Sequence, residues 1–334
     1  MATLAEQMQG ERAARAALSM IAEPNDAATG RVLAHLGGIE TLRLIESDDP
    51  APGLARADAL IWRERLAARI TPDFPGRVAE TQGGEFGTLI PADKEWPAGL
   101  DDLGDRAPYL LWTRGATSFL TTALSDRVTI TGSRASTPYG DHVTGDLAMG
   151  MADEERIVVA GGAYGIEGAA HRAVLAAGGQ TIAVLAGGLD RPYPAGHSDL
   201  LRQIGDIGLL VSELPPGTAP TRHRFIARNR LMAALSGATV IPEAGARSGS
   251  MTTVFTAREL GRGVGAVPGP ATSAASTGPN ELIKQRFASL VTQPSDVIAL
   301  LDTEGTSKRR AVRAELGQEF GRHRSEPGAP GRSI

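Results

Sequence analysis

Residues 156–179 read RIVVAGGAYGIEGAAHRAVLAAGG, and the reading of this stretch decides the fold. The apolar run Ile157, Val158, Val159, Ala160 has the length and composition of a buried strand. It passes into Gly161 and Gly162, then into a helical segment whose first turns carry Gly165, Gly168, Ala169 and Ala170. Glycines where a strand feeds a helix permit a tight turn and let another group approach the backbone closely. The amides at the helix start lack intrahelical partners and favour an anion, for which a phosphate is the natural candidate. The same glycines serve equally well to pack helix against strand, and this segment alone does not choose between the two.

The alternation repeats on both sides. Apolar runs predict strands at 109–113, 128–131, 157–160, 181–185, 208–212, 239–242 and 264–267. Helices are predicted at 139–152, 165–177, 199–203, 226–236 and 251–260. Continuous apolar strands separated by helices form a parallel sheet covered on both faces. The fold class is therefore α/β: a doubly wound, mostly parallel, Rossmann-like sheet over 109–302. Residues 1–70 place Ala, Leu, Arg and Glu at helical spacing and predict a small N-terminal helical domain. Within it Gly37 and Gly38 separate two short apolar helices, as in helix-hairpin-helix modules. Residues 71–108, rich in Pro, Gly and Asp, read as a connector with little regular structure. Residues 303–334 are basic and polar and read as a tail without the apolar content of a further domain.

Hydrophobic content of 42% and charged content of 22% over 334 residues are those of an ordinary soluble globular protein. No apolar run approaches the roughly 18 residues of a membrane span. The N-terminus mixes acids and bases without the apolar core of a signal peptide, so a cytoplasmic protein with no membrane partner is expected. The absence of cysteine excludes disulfides, zinc–cysteine sites, iron–sulfur clusters and thiol catalysis. The six histidines form no paired ligand motif, and neither metal nor cofactor is expected. A net charge of −4 argues against indiscriminate coating of nucleic acid, but a local patch suffices to attract phosphates. Such a patch is offered by TRHRFIARNR (221–230), where Arg222, Arg224, Arg228 and Arg230 stand with no acid among them.

Sheets of this kind bind ligands at the carboxyl ends of their strands, so the loops there carry the chemistry. In order they hold Gly132-Ser133-Arg134, Gly161-Gly162, AGGLDRPYPAGH (186–197), Glu213 with the arginine segment, and EAGARSGSMTT (243–253). In the last, Ser248, Gly249 and Ser250 precede a helix and read as both cap and phosphate donors. Hydroxyl, guanidinium and amide donors converge on one edge, which suits a nucleotide or a nucleic-acid strand. Phe225 and Asn229 lie amid the arginines. A base stacks on such a phenylalanine, or else the ring is core and the arginines a solvated helix face. No GxSxG, HExxH or Walker motif is present. Glu167, Glu213 and Glu243 are the strand-end carboxylates available for acid–base work, and capping a helix or orienting an arginine is the preferred reading of each. His171 reads as a core histidine.

Taken in order, the motifs resemble the DNA-processing protein A family (DprA, also called Smf). They are GSR (132–134), GGAYGIEGAAH (161–171), GGLDRPYP (187–194), SELPPGTAP (212–220), FIARNRLMAALS (225–236), EAGARSGSMTT (243–253), AVPGP (266–270) and TGPNELI (277–283). The resemblance implies a dimeric, non-enzymatic, single-stranded-DNA-binding protein. It would protect incoming DNA during natural transformation and help load RecA recombinase. By motif it implies phosphate contacts from Ser133, Arg134, Gly161, Gly162, Arg222, Arg228 and Asn229, with Phe225 stacking on a base. Departures are Glu167 where Asp is usual, a proline at Pro242 in strand context, and Gln285-Arg286-Phe287 where a Gly-Ala pair is usual. The winged-helix domain that many members carry is also not expected here.

Two other functions use the same kind of strand-end pocket. One is a nucleotide hydrolase resembling the lysine-decarboxylase-like phosphoribohydrolases, with Glu243 or Glu167 as acid–base, although their PGGxGTxxE motif is missing. The other is a mononucleotide-binding sensor.

Overall fold

The computed structural model describes residues 3–302. The chain begins with helices α1 (Leu4–Gln7), α2 (Glu11–Ile21), α3 (Ala27–Ile45), α4 (Arg56–Ala67) and α5 (Phe74–Gln82). Strands β1 (Gly87–Leu89) and β2 (Leu111–Gly115) follow, then β3 (Arg127–Ile130), α6 (Pro138–Asp153), β4 (Ile157–Ala160) and α7 (Ile166–Ala176). Next come β5 (Thr181–Val184), α8 (Ser198–Ile207), β6 (Leu209–Ser212), α9 (Arg222–Leu235) and β7 (Ala238–Ile241). The last are α10 (Met251–Glu259), β8 (Gly263–Ala266), α11 (Thr277–Lys284) and β9 (Ser289–Leu290), with residues 294–302 helical after them.

The strands form one sheet in the order β1-β2-β6-β5-β4-β3-β7-β8-β9. From β6 to β9 all neighbours are parallel, while β2 joins β6, and β1 joins β2, antiparallel. The chain lays down β3 to β6 in one direction, then returns to place β7 on the other side of β3. That reversal is the switch point of a doubly wound sheet, where the loops after neighbouring strands diverge and leave a crevice. The α/β, mostly parallel, Rossmann-like architecture read from the sequence is the one observed.

Alternate residues of each central strand face opposite layers, as the two-residue strand repeat requires. Val128, Ile130 and Val158 pack with α6 and α7 through Leu147, Met151, Ile166 and Val174. Ile157, Val159, Ile182 and Val184 pack with α9 through Leu231, Met232 and Leu235. The N-terminal helices share one apolar cluster with Trp112, Ala183 and Leu210 of the sheet and with Leu201 and Ile204 of α8. Gly37, at φ 77°, breaks α3 into two, and the Glu11 carboxylate accepts from the Gly38 amide (2.8 Å) to cap the second half. The two-helix reading around Gly37-Gly38 is thus visible in the backbone.

Some expectations are corrected. The stretch 71–108 is not an irregular connector: it carries α5, β1 and a 3₁₀ segment at Ala98–Arg106. Pro75 falls in the first turn of α5, where its missing N–H costs nothing, and Gly83 at its C-cap. Helix α9 begins at Arg222, four residues before the predicted start at 226. Thr221 caps it by accepting from the Arg224 amide (3.3 Å). Arginines in a first turn oppose the helix dipole, which hid this start. The basic tail (303–334) lies outside the described residues.

Candidate nucleic-acid interface

The loops after β3, β4, β5 and β7 meet at the switch point. Ser133 N–H donates to the Glu243 carbonyl (2.7 Å), and the Ser133 carbonyl accepts from the Ile166 amide (3.1 Å). The β3 loop is thereby tied to both the β7 loop and the start of α7. Arg134 leaves this loop exposed to solvent and lays its guanidinium carbon 4.3 Å from the Phe225 ring centre. Phe225 is half-buried, one helical turn after the exposed Arg222. It is therefore not the core residue that the sequence allowed, and part of the ring is open to solvent.

Close to the ring on the protein side lies Arg228, only 3% exposed, its guanidinium 5.8 Å from the ring centre. It donates to the Val184 carbonyl at the end of β5 and comes within 3.6 Å of the Glu167 carboxylate. Burial pulls its pKa below the usual arginine value, against the pull of Glu167. A methyl group on Gly161 would overlap this guanidinium, so the glycine is the condition for the arginine's passage. The phosphate contact that the resemblance implies for Arg228 therefore meets a side chain that is buried and already partnered within the fold. Gly161 and Gly162 are likewise buried, Gly162 against Leu201. Both glycines are closely packed against neighbouring side chains.

The α7 start also answers part of its own need for an anion. Glu167, 5% exposed, accepts from the Ala163 amide (3.0 Å) and the Thr131 hydroxyl (2.8 Å). Glu243, 1% exposed, accepts from the Thr137 amide (2.9 Å) and hydroxyl (2.6 Å) and so joins the β7 loop to the cap of α6. Glu213 and Arg230, both buried, form a two-point pair whose first bond is 2.7 Å. All three carboxylates orient neighbours, as preferred from the sequence.

Asn229, 7% exposed, points away from solvent and donates to the Gly249 carbonyl (2.9 Å) and the Thr252 hydroxyl (2.8 Å). It anchors the Ser248–Ser250 loop to α9. The serine hydroxyls pair with each other (2.8 Å), and Ser250 makes no side-chain cap on α10, contrary to the expectation that they cap it. The reading of TRHRFIARNR as one solvated face also fails. Arg222 is exposed, Arg224 pairs with Glu23 through two 3.0 Å bonds, and Arg228 and Arg230 are buried.

Three contributors were not named as site residues from the sequence, although Tyr193 and His197 lie in the strand-end loop 186–197 singled out there. Glu23, in the N-terminal region, pins the first turn of α9; burial opposes its ionisation, but Arg224 and Arg69 hold its carboxyl below the usual range. His197 donates from Nδ1 to the Gly162 carbonyl (2.9 Å) and accepts at Nε2 from Arg172 (3.2 Å), which locks the β4 and β5 loops together. Tyr193, half-exposed, meets Phe225 edge-on. Its signal was an aromatic residue inside a Gly- and Pro-rich strand-end loop. Among the described residues no group of three or more His, Asp or Glu side chains is placed to hold a metal.

The switch-point loops, which present the exposed cations Arg134 and Arg222 around a partly exposed ring, suit a phosphate-bearing ligand with unpaired bases. Residues 87–302 match the family described as DNA recombination-mediator protein A. The chain belongs to that family. A Mycobacterium tuberculosis protein that carries the DprA name is 43% identical over 291 residues, 84% of this chain and 72% of that protein. The structure of DNA processing protein A from Streptococcus pneumoniae superposes with a TM-score of 0.71 at 32% identity, covering 85% of this chain and 95% of that one. The Helicobacter pylori DNA processing protein A, solved to describe its single-stranded DNA binding mode, gives a TM-score of 0.59 at 31% identity over 66% and 98% of the two chains. Among the described residues no helix is long and apolar enough to cross a membrane.

Proposed function

We propose that this chain binds single-stranded DNA in the switch-point crevice without catalysing a reaction, protects incoming strands during natural transformation and helps load RecA recombinase onto them. The observation that carries the reading is the partly exposed Phe225 ring, with the exposed Arg134 guanidinium 4.3 Å and the buried Arg228 guanidinium 5.8 Å from its centre. Such a site offers stacking and phosphate charge but few donors aimed at base edges, so binding tolerates any sequence. Ser133, Arg134, Arg222 and Phe225 form the contact surface; Gly161, Gly162, Arg228, Asn229 and the Ser248–Ser250 loop form its floor. Kinship with the Streptococcus pneumoniae and Helicobacter pylori proteins supports the reading. The hydrolase alternative requires a free carboxylate, and Glu167, Glu213 and Glu243 each hold a structural partner.

The protein acts as a two-fold dimer, since one crevice covers few nucleotides and a second linked crevice makes the next contact intramolecular. Of the stretch 289–301, Val291, Val297 and Leu301 close the core, while Leu290 on the edge strand β9 is 53% exposed and left for such a contact. Gel shifts with single- and double-stranded oligonucleotides at two salt concentrations test the binding, and light scattering tests the dimer. Equal affinity for both DNA forms, or release of free base from nucleoside monophosphates at enzymatic rates, rejects the reading.

A further inference from the structure

Aromatic residues make up only 4% of this chain, and most of the described ones are buried or half-buried. Tyr164 and Tyr193 are exceptions, 47% and 50% exposed, and both stand on the strand-end loops of the crevice. Tyr164 is occupied: its hydroxyl accepts from the Gly196 amide (3.1 Å) and its ring packs on His197 at 4.7 Å. Tyr193 is different. Among the described residues its hydroxyl has no hydrogen-bond partner, and its ring touches only Phe225 among the aromatics, centres 5.7 Å apart and planes inclined at 60°.

The loop that presents Tyr193 is anchored at both ends. Ser212 Oγ donates to the Gly187 carbonyl (2.9 Å), Gly188 N–H to the Thr218 carbonyl (2.8 Å) and Gly217 N–H to Asp190 (2.7 Å). On the far side the His197 amide donates to the Pro194 carbonyl (2.9 Å) and its Nδ1 to the Gly162 carbonyl (2.9 Å). A half-exposed ring on so anchored a loop, beside the crevice's other ring, is a surface ready for an apolar face. A solitary surface tyrosine needs no explanation, but one fixed against the stacking residue of a binding crevice does.

We propose that Tyr193 is a second base-stacking position, so that Tyr193 and Phe225 together receive two neighbouring bases. The proposal rests on the single-strand reading given above and adds the source of its selectivity. Bases in a duplex strand lie parallel at steps of about 3.4 Å. Two rings inclined at 60° face bases that have come apart, a geometry open to a single strand and closed to a continuous stack. Stacking draws on the face common to every base, so the second position adds affinity without sequence preference.

The test is fluorescence anisotropy of the full chain with a labelled oligothymidylate, unlabelled duplex competing, at two salt concentrations. Tyr193→Ala and Tyr193→Leu are expected to weaken binding about ten-fold, as for the loss of one stacked base, with an unchanged salt slope. Discrimination against duplex falls with them, and Tyr193→Phe binds like wild type. The leucine variant keeps bulk at the site and decides the matter if the alanine variant loses its thermal unfolding transition. Wild-type affinity in Tyr193→Leu while Phe225→Ala is weakened removes Tyr193 from the site and leaves the single-strand reading standing. A Tyr193→Phe variant as weak as Tyr193→Leu assigns the effect to the hydroxyl and overturns stacking. Failure of the wild-type protein to bind the oligothymidylate rejects the single-strand reading itself.

Discussion

The guanidinium carbon of Arg134 lies 4.3 Å from the centre of the Phe225 ring, so an exposed cation covers a face that a base would use. An exposed cation–π contact is worth about 0.5–1 kcal/mol, less than the roughly 1–3 kcal/mol of a stacked base. A nucleotide that draws Arg134 onto its phosphate can therefore take its place on the ring.

In the proposed binding mode, Arg134→Ala removes a phosphate contact and uncovers the ring at once. The slope of log K against log salt should flatten by about one, so the variant's deficit is large in dilute buffer and shrinks as salt rises. Anisotropy across a salt series measures it. Two parallel lines would mean that Arg134 touches no phosphate.

Phe225→Ala should give the converse pattern, a loss of about 1–3 kcal/mol with the salt slope kept. The ring is half-buried, so the fold should survive its removal. Circular dichroism melting alongside the titration separates the two cases; a lost unfolding transition would return Phe225 to the core.

Arg228→Ala should act on stability first. The arginine and Glu167 are 3% and 5% exposed, and removing one leaves the other charge buried without compensation. Breaking a buried pair costs about 3–5 kcal/mol, a fall in Tm on the order of 10 °C in a chain of this size. A Tm equal to wild type with a flattened salt slope would instead make Arg228 a surface phosphate contact.

The central strands were legible because each is a short, uninterrupted apolar run, and their observed limits differ from the reading by two residues or fewer. Ile157–Ala160 coincides with it. Strand order was not legible, since the return of the chain from β6 to β7 across β3 leaves no local mark. Strands β1 and β9, of three and two residues, are too short for a two-residue alternation to declare itself. At the site, residue types pointed to phosphate and base, but burial divided the arginines. Arg228 and Arg230 lie on the inner side of α9 because Glu167 and Glu213 arrive from distant segments to neutralise them. Nothing within TRHRFIARNR announces those partners, nor that Glu23 pairs with Arg224. Sequence spacing places a residue on a helix; only the fold says which charge faces it.

His171 gives the last expectation, a dependence of stability on pH. It is fully buried in α7, with Nδ1 2.8 Å from the Thr181 hydroxyl, which itself donates to the Val158 carbonyl (2.8 Å). The hydroxyl proton is thus already given, so Nδ1 carries the imidazole proton and Nε2 has no partner among the described residues. Burial pushes the imidazole pKa down from 6.5 to about 4; Glu167 opposes the shift, while His197, Arg228 and Arg172 add to it. Below pH 6.5 the unfolded chain takes up a proton that the folded chain refuses until about pH 4. The contribution is complete above pH 6.5 and is lost as pH falls toward 4, amounting to roughly 3 kcal/mol at about 1.4 kcal/mol per pKa unit. Urea unfolding of the wild type and of His171→Asn across this range provides the measurement. The variant starts lower at neutral pH, because it leaves a gap in the core, but declines less steeply on the acid side. Parallel declines would show that proton uptake on unfolding takes place elsewhere.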